Sequence, residues 1–291
     1  MKEIISIELY KIFHKPRTYL AFAAISAIVV LIQLGFYVDG ETYVQFGMQA
    51  LSDSFDVQGK ILNGYLIAYI ILQTLLVHVP LLIALVSGDM ISGEANMGTL
   101  RLLLTKPISR QSLLTGKFLA SSIYTILLLI WMAFWTLLVS ILIFGVDDLI
   151  ILKSDVVTLI LKDDILWRYG AAFIFAMLAM ITVSSLAFFL SIFAENSIGP
   201  IIACMSIIIV LTILQTLQLP VFNAVKPYLF TTHMLGWKGF FDVKMDEQNQ
   251  QILGSIENLP AVMRSAGYLA LHIICFWGMS VFVFRKKDIV S

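Results

Sequence analysis

The chain has 291 residues, of which 59% are hydrophobic and 13% charged, and its 19 Lys and Arg balance its 19 Asp and Glu. Soluble globular domains carry about a quarter charged residues, so this composition excludes them, and a zero net charge leaves no footprint for nucleic acid. Two cysteines, Cys204 and Cys275, sit inside apolar runs without the spacing of a disulfide framework or a zinc site.

In chain order, residues 1–17 place Ile5, Leu9, Ile12 and Phe13 on one helical face and Lys2, Glu3, Lys11 and Lys15 largely elsewhere, with Pro16 stopping the pattern. This predicts an amphipathic helix in the membrane interface. Crossing about 30 Å of hydrocarbon takes about 20 helical residues. Six stretches qualify: 18–38, 61–87, 118–145, 169–193, 199–219 and 264–284. None alternates with period two, as a membrane barrel requires. The expected fold is therefore an all-α membrane protein, one domain over 1–291 with six transmembrane helices.

The connections carry the charge. Segments 1–17, 88–117, 194–198 and 285–291 hold 11 Lys and Arg against six Asp and Glu, whereas the alternate segments are net acidic, with 13 Asp and Glu. By the positive-inside rule, both termini are expected on the cytoplasmic side. Of the outer segments, 146–168 reads as a short amphipathic element. The longer 220–263, with Trp237, Phe240 and Phe241 near its middle, reads as an interfacial helix or a cap over the bundle.

The cytoplasmic segment 88–117 contains Arg101, Lys106, Arg110 and Lys117. Each would cost about 2.5–3.5 kcal/mol at mid-membrane, so the segment must project from it. Gly93 and Gly98 loosen the chain, Thr99 caps a short helix reaching Thr105, Pro107 ends it, and Ser109 caps the helix that enters the third span. Four leucines between Leu100 and Leu104 cover more than one face of that short helix. They fit either a docking surface for a soluble partner or a helix dipping among headgroups.

Catalytic signatures are missing. The sequence has no HExxH, no GxSG and no P-loop, because Gly116-Lys117 has Gln111 where the earlier glycine belongs and Phe118 after it. An enzyme is not expected. The polar residues within the spans are mostly Gln33, Gln73, His78, Gln215, Gln218 and His272, of which His78, His272, Gln215 and Gln218 are candidates for a transport path. His233-Met234 is too sparse a pair for a metal site.

Gly93-Glu94, Gly98-Thr99, the leucine run, Pro107-Ile108-Ser109-Arg110 and Gly116-Lys117 together resemble the cytoplasmic loop of type-two permeases of ATP-binding-cassette transporters. The opening with Glu8, Lys11 and Pro16-Arg17, and the closing Phe284-Arg285-Lys286-Lys287-Asp288, are also similar to that family. The resemblance implies a permease in a bacterial plasma (inner) membrane that dimerises with itself or a related permease. It also implies two copies of a cytoplasmic ATPase, which would hold the ATP and Mg; no cofactor is expected in this chain. The implied docking residues are Glu94, Gly98, Thr99, Leu100, Arg101, Leu103 and Arg110, with Glu195 in the turn before the fifth span as a further contact. The expected function is the membrane subunit of an exporter. The alternative is a non-transporting complex that passes ATP-driven motion to a periplasmic or motility partner.

Overall fold

A computed structural model describes residues 1–48, 60–105, 107–152, 157–248 and 250–287, without the side chains of 45–48, Arg101, Leu104, Leu152 and Val157. Lys106 and Asp288 lie outside the described residues. Among the described residues, six helices are long and apolar enough to cross a membrane.

Helix α1 (Lys2–Phe13) ends where expected, and α2 (Pro16–Met48) begins at the proline, whose fixed φ suits a first helical turn. Helix α2 runs ten residues past the expected limit at 38, because Asp39 and Glu41 need only leave the membrane, not the helix. Asn63 caps α3 (Gly64–Ser87) by accepting hydrogen bonds from the Tyr65 and Leu66 amides. Two short helices follow, α4 (Ser92–Asn96) and α5 (Thr99–Leu104), joined through Gly98 in the left-handed region at φ 69°. Ser109 caps α6 (Arg110–Ala133) by accepting from the Ser112 amide, as its position predicted.

The third span continues through a π-helical turn, Phe134–Val139, into α7 (Ser140–Phe144). A π turn widens the helix and strands carbonyls. Gln33 of α2 answers by donating from Nε2 to the Trp135 carbonyl (3.0 Å) and to Ser140 Oγ (2.9 Å). Residues 146–168 are not a purely helical element. Strands β1 (Leu149–Leu152) and β2 (Val157–Ile160) pair antiparallel, with Leu149, Ile151 and Ile160 buried and Leu159 exposed. The β-branched alternation there buries one face of a hairpin, which a helix would have spread around its circumference.

The remaining spans are α8 (Leu166–Ser191), α9 (Ile198–Thr216) and α11 (Leu259–Lys286), with the short α10 (Phe230–Met234) between the last two. Helix α8 is the hub, packing against α3, α6, α9 and α11. Ser87, Ser121 and Ser184 close a buried ring of hydroxyl contacts of 2.7–2.9 Å that joins α3, α6 and α8. Such a ring satisfies every member internally, which matters where no water is at hand.

Of the two forms expected for the last outer segment, residues 220–248 and 250–258 take the form of a cap. Trp237 and Phe241 are buried against Tyr69 and Tyr169, at ring separations of 5.0–5.5 Å. Arg168 ties the cap down, reaching Asp164 Oδ2 (2.5 Å) and the carbonyls of Phe240 and Ser255 (both 2.7 Å).

Candidate functional site

At the end of the bundle that carries the last turn of α11, α1 lies across the start of α6, with Ile4 seated over Gly116. Next to that contact, two turns into α6, the Lys117 side chain is only 2% exposed. An ammonium so placed costs several kcal/mol unless paired. It reaches Glu8 Oε2 and Glu94 Oε1, both at 2.8 Å. Lys11 bridges the same two carboxylates, at 2.9 Å from Glu8 Oε1 and 2.8 Å from Glu94 Oε1. Four alternating charges therefore close a square that binds α1, α4 and α6 together.

The square is electrically self-sufficient. Burial alone would raise the Glu94 carboxyl, but the Lys117 charge and the hydrogen bonds from Lys11 and Lys117 outweigh it and hold the group below its ordinary value. Burial likewise pulls Lys11 down, and its bonds to Glu8 and Glu94 overcome that, leaving it above its ordinary value. Glu94 Oε2 is buried with no hydrogen-bond partner among the described residues.

A second node stands beside it. Asp89 accepts from Lys15 at Oδ2 (2.8 Å), pairs with Arg17 and accepts from the Ser197 hydroxyl, so it joins the α1–α2 corner to the turn before α9. Its carboxylate lies against α4 because position 93 is glycine; a Cβ there would stand 2.3 Å from Asp89 Oδ1.

From this base α4 and α5 project. Leu100 is buried and anchors α5, whereas Met97 (59% exposed) and Leu102 (68% exposed) form an apolar tip, with Leu103 half-buried beside them. The leucine run is thus divided between anchor and tip. Thr99 is half-buried and donates to the Glu94 carbonyl (3.3 Å), and Gly98 is exposed. Arg110 is exposed and donates from Nη1 to the Lys287 carbonyl (3.0 Å), joining the loop to the end of α11. Glu195 is exposed in its turn. The Arg101 side chain lies outside the described residues.

Two expected docking residues have roles inside the bundle. Glu94 and Leu100 are buried within the chain itself, Glu94 paired with Lys117 and Leu100 anchoring α5. Sequence reading also missed the ion square. Its signals are Glu8 and Lys11 three residues apart on one face of α1, and a lysine placed just where an apolar span begins.

The four path candidates are not brought together. His78 is exposed on the outer face of α3, and His272 is half-buried between Phe230 and Phe276 on α11. Gln215 lies in the last turn of α9, half-buried, and Gln218 just beyond that helix, exposed. His233 has both ring nitrogens engaged, with Ser265 Oγ at 3.1 Å and the Pro227 carbonyl at 2.7 Å, and it stacks on Tyr268. It serves the cap.

Six membrane-length helices define the class of this chain as a multi-pass membrane protein. A family model described as "Protein of unknown function (DUF2705)" matches residues 27–290, and the chain belongs to that family. None of the curated proteins matches it.

Proposed function

We propose that this chain is the transmembrane subunit of an ATP-binding-cassette exporter, powered by a separate cytoplasmic ATPase that docks on α4 and α5. Two copies of the chain complete the path, and the end with both termini faces the cytoplasm. The observation that carries this reading is the mounting of α5. An apolar tip, Met97 and Leu102, stands on two short helices, of which α4 is clamped to the longer α1 and α6 by buried ion pairs. A headgroup-dipping helix needs no such clamp, whereas a helix that receives force does. A push on α5 passes through Glu94 to Lys117 and so into α6, the third span, and through Lys11 into α1.

The test is affinity purification of the tagged chain from its native membranes, followed by mass spectrometry. The wild type is expected to bring down a soluble ATP-binding-cassette subunit in equal amount. Leu102→Asp, which puts a charge at the tip without touching the clamp, should reduce that recovery at least tenfold while the chain remains inserted. If no such subunit accompanies the wild type, the transporter reading fails.

A further inference from the structure

Most lipid-facing positions on the spanning helices are apolar, as at Leu31, Leu34, Ile209, Ile213 and Ile274 on α2, α9 and α11. Hydrocarbon satisfies such side chains. Helix α3 differs. It is enclosed by α2, α6, α8 and α9, and its open strip reads Gln73, Thr74, Val77, His78 and Leu81, the spacing of one helical face. Gln73 and His78 each lie nine residues from the nearer end of Gly64–Ser87, about 14 Å along the axis. Neither side chain is long enough to reach the headgroups from there.

The hydrogen-bonding state of this strip is specific. The Thr74 hydroxyl donates to the Ile70 carbonyl (2.9 Å) and is satisfied. His78 Nδ1 lies 2.9 Å from the Thr74 carbonyl, which can only accept, so Nδ1 carries a proton there and Nε2 has no partner among the described residues. The Gln73 amide has no hydrogen-bond partner among the described residues and offers donors and an acceptor together. Polar side chains at this depth normally face a bundle interior or a watery cavity. These point away from their own bundle.

We propose that a second copy of this chain seats on the open strip of α3, the two copies being related by a two-fold axis along the membrane normal. Hydrogen-bond complementarity selects the occupant. Copies of one sequence share one orientation in the membrane, so their α3 helices run parallel and the two Gln73 amides meet at the same depth. An amide is its own complement, each donating to the other's oxygen. Val77 and Leu81 then pack against their counterparts one and two turns along. Lipid, or a partner with an apolar face, would leave the Gln73 amide unpaired. The inference rests on the two-copy part of the transporter reading and not on the ATPase.

Cysteine cross-linking in native membranes tests it, in a background of Cys204→Ala and Cys275→Ala. Val77→Cys and Leu81→Cys should form a disulfide-linked species of twice the 32.6 kDa chain mass, and Ile209→Cys and Ile274→Cys should not. Gln73→Leu should weaken self-association on dilution in lipid by about 3- to 30-fold, the range expected for a hydrogen bond between helices in a membrane, with thermal stability of the single chain unchanged. Cross-links at Ile209 or Ile274 instead, an adduct whose mass is not that of two copies, or no adduct at any position would overturn the interface. Co-purification of the ATPase alongside a failed cross-link would sink this interface and leave the transporter reading standing; the reverse pattern would do the opposite.

Discussion

At Lys117 a charge is committed to the interior of a bundle whose surroundings are apolar, and its neighbours decide what that costs. With Glu8 and Glu94 both at 2.8 Å, the ammonium is neutralised from α1 and from α4 at once. Removing only the cation leaves two carboxylates sharing Lys11, so Lys117→Met should destabilise the chain by about 3–5 kcal/mol, read as a loss of thermal stability in detergent. Adding Glu94→Gln restores neutrality and should recover more than half of that loss, a non-additivity that independent sites would not show. The same pairing sets a pH window for the docking of α1. Glu94 sits below its ordinary value of 4.5, so its contribution is full above 4.5 and is lost as pH falls through the lower folded value. Lys11 sits above 10.5, so its contribution is full below 10.5 and is lost as pH rises through the higher folded value. Spin labels on α1 and α6 should hold a fixed separation between those limits and part outside them. The residues of this square are visible in the sequence as charges, but their partnership is not: Glu8 and Lys117 are 109 positions apart, and no local pattern couples them.

Among the elements, the third span shows how a departure from regular helix is repaired by a neighbour. Within the π turn at Phe134–Val139 the Trp135 carbonyl accepts from Gln33 of α2, which also bonds Ser140. Gln33→Leu keeps the volume and removes both bonds. It should cost about 1–2 kcal/mol, seen as lower thermal stability and as loosened packing of α2 on the third span by hydrogen exchange. Gln33 is conspicuous in the sequence as a polar residue in an apolar run, yet nothing around Phe134 marks a π turn, because that geometry is set by packing. The 146–168 hairpin escaped for a related reason: its strands are four residues each, too short to separate from a helical turn by periodicity alone. Caps were easier. Ser109 and Pro16 punctuate the chain through local chemistry, and the helices begin where that chemistry predicts.

At the scale of the molecule the six spans were legible because bilayer thickness imposes one length on all of them, and composition alone reports it. An even number of crossings also predicts that the end of the last helix returns to the side of α1. Arg110 bonded to Lys287, and Lys287 Nζ to the Ile192 carbonyl (2.5 Å), place the last helix beside the third and fourth at the end that holds α1. Orientation is a separate question, decided by which end tolerates translocation. The end with Lys2, Lys11, Lys15, Arg17, Arg110 and Lys287 is the basic one, whereas the cap end carries Asp147, Asp163, Asp242 and Asp246. Dragging the basic end across an energised membrane is opposed by the potential, by about 2.3 kcal/mol per charge per 100 mV, so the cap should be the translocated end. A membrane-impermeant maleimide added to intact cells should therefore label Val221→Cys on the cap, where the side chain is 72% exposed, and should label Leu102→Cys only after permeabilisation. The opposite pattern would put α5 outside the cell, beyond the reach of any cytoplasmic ATPase, and would remove the transporter reading while leaving the bundle, its ion square and the open strip of α3 as they are.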